Sequence, residues 1–279
     1  MQQSEREGRG KRKNHPSNLL LLPPSIHPEA LRTICMPLYY HKSLKRLSLR
    51  DAKIKDEGMK FLCETLSSNY TIEFLDLSGN EIGNAGFKLL AEVLKANKKI
   101  TELDISKNLL DADALDPLGK AIGANEGLRK INFNDNQIGD EGLKHLAVLF
   151  ENPDFVMLKL TLAKNKIGDE GAVEIAELLA REHCHVVDVD LGFNQIGNQG
   201  AHQIAGAMRQ NSSVKILNLE HNEIGYQGIN EITKMLELNK TLDTVILGGN
   251  RIGDQALLKL ANAGEKSSFN FAELELVRL

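Results

Sequence analysis

Residues 128–142 read Leu128-Arg129-Lys130-Ile131-Asn132-Phe133-Asn134-Asp135-Asn136-Gln137-Ile138-Gly139-Asp140-Glu141-Gly142. Leu128, Ile131 and Phe133 set the apolar beat, Asn136 follows, and an Ile-Gly-Asp-x-Gly phrase closes the stretch. The whole pattern returns along the chain. Its Asn stands at 80, 108, 136, 165, 194, 222 and 250, at intervals of 28, 28, 29, 29, 28 and 28 residues. Apolar triplets precede each Asn, for example Ile72, Leu75 and Leu77, or Val214, Leu217 and Leu219. Ile-Gly-(Asp/Asn)-x-Gly recurs at 82–86, 138–142, 167–171 and 196–200, and in altered form at 54–58, 224–228 and 252–256. Self-similarity at such a period marks a solenoid, in which each unit buries its apolar face against the next.

Each position has a physical reason. The L-x-L alternation has period 2, which predicts a short strand with apolar side chains inward and the intervening residues outward. The Asn amide can donate to and accept from turn backbone, which predicts a buried ladder of Asn80, Asn108, Asn136, Asn165, Asn194, Asn222 and Asn250. Asp140, Asp169 and Asn198 are expected to cap the helices that they begin. The second Gly of each phrase removes a side chain where a helix and its neighbouring repeat crowd. An amphipathic helix follows, with Phe87, Leu90, Ala91 and Leu94 on one face and Lys88, Glu92 and Lys95 on the other. It closes at a second Asn column (Asn69, Asn97, Asn125, Asn211, Asn239), where left-handed backbone is expected.

Together these copies resemble the leucine-rich repeat family, in its 28/29-residue, ribonuclease-inhibitor-like class, over nearly the whole chain. The resemblance implies a right-handed α/β horseshoe solenoid with a parallel sheet on the concave side and helices on the convex side. Geometry points the same way. Strands stack about 4.8 Å apart while helices need roughly 10 Å, so helices confined to one side bend the stack. Leu44, Leu47 and Leu49 open an earlier copy with Ala52 at the Asn position; Leu19, Leu21, Pro24 and Ile26 trace a degenerate one. The expected organisation is a disordered basic extension, 1–15, then a repeat domain, 16–279. That domain comprises a degenerate repeat 16–43, eight repeats 44–270 and a terminal strand 271–279 carrying Phe271, Leu274 and Leu276.

Composition narrows the function. Lys and Arg number 34 against 38 Asp and Glu, so the chain is not the basic surface that nucleic acid requires. Three cysteines (Cys35, Cys63, Cys184) make no disulfide framework and fit a reducing compartment. The apolar run Leu19–Leu22 meets Pro23 far short of a membrane span or a signal-peptide core. The expectation is a soluble, cytoplasmic protein, with a nuclear or ciliary setting also compatible. Arg9-Gly10-Lys11-Arg12-Lys13 is a basic run of the kind found in solvated tails and in nuclear localisation signals.

Residues between the strand leucines should line the concave hollow. They include Arg46, Arg50, Phe74, Asp76, Glu102, Asp104, Lys130, Lys159, Asp188, Asp190, Glu220, Glu273 and Glu275. The central column is acidic wherever it is charged (Asp76, Asp104, Asp190, Glu275), which predicts a protein partner of basic or mixed charge. Aromatic residues are only 5% and Trp is absent, so anchors are few: Phe74, Ile216, Ile246, Phe193 and His221. The open C-terminal edge is a candidate for self-association.

Apparent chemical motifs dissolve against the repeat. Asn132, Asn134 and Asn136 suggest a calcium loop, but Leu143 stands where such a loop needs a bidentate Glu. His183-Cys184-His185 places neighbouring side chains where they do not converge easily on one ion. Cys35 and Cys63 lie one repeat apart, as two buried small residues would. Asn69, Asn211 and Asn239 begin sequons but belong to the helix-end column. Titratable groups are spread along the repeats and not clustered as a catalytic site requires. The expectation is a scaffold with no catalytic residue, metal or cofactor. The alternative is a GTPase-activating protein of the Ran-directed leucine-rich repeat type. That resemblance would give Arg46 or Arg50 the catalytic role, although the acidic tail of those proteins is missing.

Overall fold

The computed structural model describes residues 19–21, 26–146 and 156–264. The extension 1–15, Pro24, and the terminal segment 271–279 with Glu273 and Glu275 lie outside the described residues. Strands and helices alternate throughout: β1 (Leu19–Leu21), α1 (Pro28–Tyr40), β2 (Arg46–Ser48), α2 (Lys55–Leu66), β3 (Phe74–Asp76), α3 (Asn84–Ala96), β4 (Glu102–Asp104), α4 (Ala112–Gly123) and β5 (Lys130–Asn132). They continue as α5 (Gly139–Leu146), β6 (Lys159–Thr161), α6 (Asp169–Leu179), β7 (Asp188–Asp190), α7 (Asn198–Met208), β8 (Ile216–Asn218), α8 (Tyr226–Leu238), β9 (Thr244–Ile246) and α9 (Asp254–Gly264). The nine described strands form one open sheet in chain order, every neighbouring pair parallel. This is an α/β solenoid. No helix among the described residues is long and apolar enough to cross a membrane.

The register follows the repeat. Leu47, Leu75, Leu103, Ile131, Leu160, Val189, Leu217 and Val245 stand in one row across the sheet. All are at most 2% exposed. A slip of one residue would turn that whole row to solvent, so burial pins the pairing. The 29-residue spacing does not disturb it. Nine positions separate the end of α6 (Leu179) from the start of β7 (Asp188), against eight between α7 (Met208) and β8 (Ile216). The connection absorbs the extra residue. Leu77, Ile82, Phe87, Leu90 and Leu94 complete the buried side of one unit. Burying each such side chain contributes about 1.5–3 kcal/mol.

The helix caps differ from the sequence expectation. Asp169 is the first residue of α6, but its Oδ1 accepts the N–H groups of Gly197 (2.7 Å) and Gly200 (2.8 Å), at the start of α7. Asp56 serves Gly83 and Gly86 of α3 in the same way, Asp140 serves Gly168, and Asn198 serves Gly225 and Gly228 of α8. Each of these side chains therefore caps the next repeat's helix. The reason is reach: a first-turn side chain points toward the neighbouring helix N-terminus, where free N–H groups await an acceptor. The second Gly makes room for it; a Cβ on Gly200 would lie 2.7 Å from Asp169 Oδ1.

The Asn positions tie repeats together on both rims. Asn108 Oδ1 accepts from Asn80 N–H (3.1 Å) and Ile82 N–H (3.0 Å), while its amide donates to Leu77 and Ile105 carbonyls. Asn80, Asn136, Asn165, Asn194, Asn222 and Asn250 are likewise buried, and each donates its amide to the preceding repeat. Asn165 differs in one respect: its buried Oδ1 has no hydrogen-bond donor among the described residues. Gly139, at φ +61°, donates instead to the Asn165 backbone carbonyl. The helix-end column forms a second ladder: Asn97 donates to Leu66 and Asn69 carbonyls, Asn125 to Leu94 and Asn97, and Asn239 to Met208 and Asn211. Its backbone is extended, not left-handed, with Asn97 at φ −83° and Asn239 at φ −69°. Left-handed backbone recurs instead one residue before the first ladder or its Ala52 counterpart, at Asp51, Gly79, Lys107, Asp135, Lys164, Phe193, His221 and Gly249, and more sporadically beyond it, as at Lys53, Lys55, Glu81 and Lys166.

Candidate functional site

The strand face presents its side chains in rows across the sheet. The first row is Arg46, Phe74, Glu102, Lys130, Lys159, Asp188, Ile216 and Thr244. Its charges are largely compensated from within. Lys130 Nζ meets Glu102 Oε1 at 2.9 Å, and Lys159 Nζ meets Asp188 Oδ2 at 2.6 Å. The Arg46 guanidinium lies over the Phe74 ring, 3.8 Å from its centre, a cation–π contact. Arg50 pairs with its neighbour Asp51 at 3.4 Å. Arg46 and Arg50 are thus engaged by different groups and do not converge.

The second row is Ser48, Asp76, Asp104, Asn132, Thr161, Asp190, Asn218 and Ile246. Every Asp or Asn in it accepts the backbone N–H two residues ahead. The donors are Ser78, Ser106, Asn134, Gly192 and Glu220, at 2.9–3.1 Å. These contacts turn the chain at each strand end, a local side-chain-to-backbone bond that short polar residues make well. The carboxylates gain further neutral donors: Ser48 and Ser78 hydroxyls on Asp76, the Asn132 amide on Asp104, the Asn218 amide on Asp190. Asp76 is buried among these donors, while Asp104 and Asp190 are half-buried. Ser78 and Ser106, two residues beyond these carboxylates, are buried too, because their hydroxyls turn back to the carboxylates.

Among the described residues no cation lies within ion-pair distance of Asp76, Asp104, Asp190 or Glu220; the lysines of this face bind Glu102, Asp188 and Glu73. The face therefore holds four carboxylates supported by neutral hydrogen bonds and lacking counter-charges. A cavity of about 300 Å³ opens between Phe74, Glu102, Asp104, Lys130, Lys159 and Asp190. The role of the second row as turn former is not visible in charge counting. Its signal was present nonetheless: Asn132 and Asn218 alternate with the aspartates, and Asn shares the hydrogen-bonding capacity without the charge.

At the rim, Phe193 and His221 stack with ring centres 4.2 Å apart and planes 16° from parallel. Lys164 Nζ stands 5.0 Å from the centre of the Phe193 ring. On the helix side, Glu231 of α8 gathers Arg209 (2.7 Å) and Lys234 (2.6 Å) beside a cavity of about 500 Å³ between α7 and α8. These partners, Lys234 first, hold its carboxyl below the ordinary range. Cys35 and Cys63 are buried on α1 and α2. Burial, and after it the charge of Cys35, pushes the Cys63 thiol up to about 12. His183 and His185 are exposed while Cys184 between them is buried, so the tract is split between solvent and core.

The sequence profile of the MHP1/HER1/GIP3 LRR domain matches residues 19–252. The chain belongs to this family. This leucine-rich repeat domain is thus of a kind that serves in general as a protein-interaction scaffold. Among solved structures, an internalin (inlF) from Listeria monocytogenes str. 4b F2365 is similar in fold. It covers 85% of this chain and 68% of its own length, with a TM-score of 0.50 and 16% identity. Leiomodin-1 Actin-Binding Site 2 (ABS2) covers 63% of this chain and 86% of its own, with a TM-score of 0.39 and 17% identity. Comparison with curated proteins yields no match.

Proposed function

We propose that this leucine-rich repeat domain is a non-catalytic scaffold that holds a protein with a basic or mixed-charge surface on the strand face of its sheet. One observation carries the reading: Asp76, Asp104, Asp190 and Glu220 are uncompensated, whereas Glu102 and Asp188 beside them are neutralised by lysines. An excess of unpaired charge of one sign on a surface steers and selects partners of the opposite sign. The three buried, unpaired thiols fit a reducing, cytoplasmic setting. Residues 16–279 are read as one repeat domain following the basic extension 1–15.

The test exploits the turn-forming role of the row. Because Asn132 and Asn218 already make the same backbone bond, Asp76→Asn, Asp104→Asn and Asp190→Asn together should remove charge and keep the fold. Binding of a fluorescein-labelled peptide of alternating Arg and Gly is followed by anisotropy. At about 1 kcal/mol for each of the two half-buried carboxylates, Asp104 and Asp190, and less for buried Asp76, the triple variant should lose on the order of thirtyfold in affinity. Wild-type binding should weaken as salt rises. Equal affinity of wild type and a folded triple variant would refute the reading.

A further inference from the structure

Of the eight residues in the left-handed column, two are glycines (Gly79 at φ +69°, Gly249 at φ +70°) and two are rings: Phe193 at φ +56° and His221 at φ +49°. Glycine satisfies this backbone without strain, while a bulky L-residue there is unfavourable. The turn does not need the rings. Residues held in such conformations cluster where they serve a contact, and an observed outlier is a reason to look for one. Phe193 is 42% exposed, although a large ring normally hides from water. The stack is also supported from below: a Cβ on Gly249 would lie 2.5 Å from His221 Nδ1, so the ring occupies space that only glycine leaves free. Asp190 precedes Phe193 by three residues and Glu220 immediately precedes His221. Both carboxylates are among those without a cation. On the same half of the sheet face Ile216 is 37% exposed, and Ile246 stands in register with Asn218.

We infer that Phe193 and His221 form the anchor of the strand-face interface. They would receive an aliphatic or aromatic side chain of a partner protein, while an adjacent Lys or Arg of the same segment meets Asp190 and Glu220. This inference rests on the strand-face reading and assigns the energetic centre within it. Complementarity decides the occupant. A purely apolar segment would cover the two carboxylates without replacing their water, which is unfavourable. An acidic segment would be repelled. A purely basic one gains little from the Phe193 ring, which already faces the Lys164 ammonium. A segment carrying both kinds of side chain satisfies rings and carboxylates together, and a few such anchors dominate most interfaces.

The experiment compares two fluorescein-labelled peptides by anisotropy: alternating Arg and Gly, and the same peptide with its central glycines replaced by Leu. Wild type should bind the Leu-bearing peptide about tenfold more tightly or better. Phe193→Gly with His221→Gly should erase that preference, bringing the affinities for the two peptides within about twofold of each other, while the left-handed backbone that glycine adopts readily keeps the variant folded. Phe193→Asn, which also tolerates left-handed backbone, gives a second variant with the same expected loss. A preference that survives in the folded variants overturns the inference. So does wild type binding both peptides equally, in which case the strand-face reading still stands. Binding of neither peptide by wild type overturns both.

Discussion

Asp169→Ala should damage a helix to which Asp169 does not belong. The carboxylate sits on the first turn of α6 and holds Gly197 and Gly200 N–H groups of α7 at 2.7 and 2.8 Å. Hydrogen bonds to a charged acceptor are worth about 1.5–3 kcal/mol each, and a lost cap typically costs about 1 and up to 2 kcal/mol. The site is half-buried, so water recovers part of the loss, leaving about 2–3 kcal/mol for the pair. For a chain of this size that is a fall in thermal midpoint of about 3–5 °C. Asp169→Asn should keep both bonds, as Asn198 does for Gly225 and Gly228 at 2.9 and 2.8 Å. It forfeits only the carboxylate's attraction to the helix dipole, about 0.3–1 kcal/mol. Denaturation by urea measures the two losses, and hydrogen exchange locates them. In Asp169→Ala, protection should fall in the first turn of α7 while the first turn of α6 stays protected. Loss confined to α6, or an Asn variant as unstable as the Ala variant, would refute the cross-repeat cap.

Two further outcomes follow from the geometry. The Glu231 carboxyl is held below its ordinary value of 4.5 by Lys234 and Arg209. A depressed folded-state value stabilises the fold fully above pH 4.5 and loses that contribution as pH falls through the lowered value. The stability gap between wild type and Glu231→Gln, measured by urea denaturation, should therefore be present at pH 7 and close in acid; a gap independent of pH would contradict the linkage. Among the described residues β9 pairs along one side only, with β8, and an unpaired strand edge is a template for further pairing. The purified chain should form dimers at high concentration in sedimentation; a strict monomer would contradict pairing through this edge.

Most of the architecture was legible because the period of Leu75, Asn80 and Gly86 carries both the alternation of a strand and the spacing of a repeat. The caps were misread for a definite reason. Spacing tells that Asp169 begins a helix, but not which of two adjacent helix ends its carboxylate reaches. The left-handed column was equally obscured. Gly79 and Gly249 signal it, yet Lys107, Lys164, Phe193 and His221 conceal it, since the stacked repeats impose a backbone that local preference resists. Asp104 was visible as charge and not as turn former, because one side chain performs both tasks.

Asn165 gives the solenoid a fault line. Elsewhere each ladder oxygen fastens its repeat to the one before; between β5 and β6 that fastening is absent among the described residues, and a buried acceptor is left unmet at a cost of about 1–3 kcal/mol. A stacked array is as strong as its weakest junction. Under load, this junction has one side-chain bond fewer than its counterparts among the described residues, so it is expected to open before them, with one block ahead of Asn165 and one behind it. The proposed peptide-binding surface spans that junction, with Asp104 on one side and Asp190 on the other, so its opening would separate the two halves of the site.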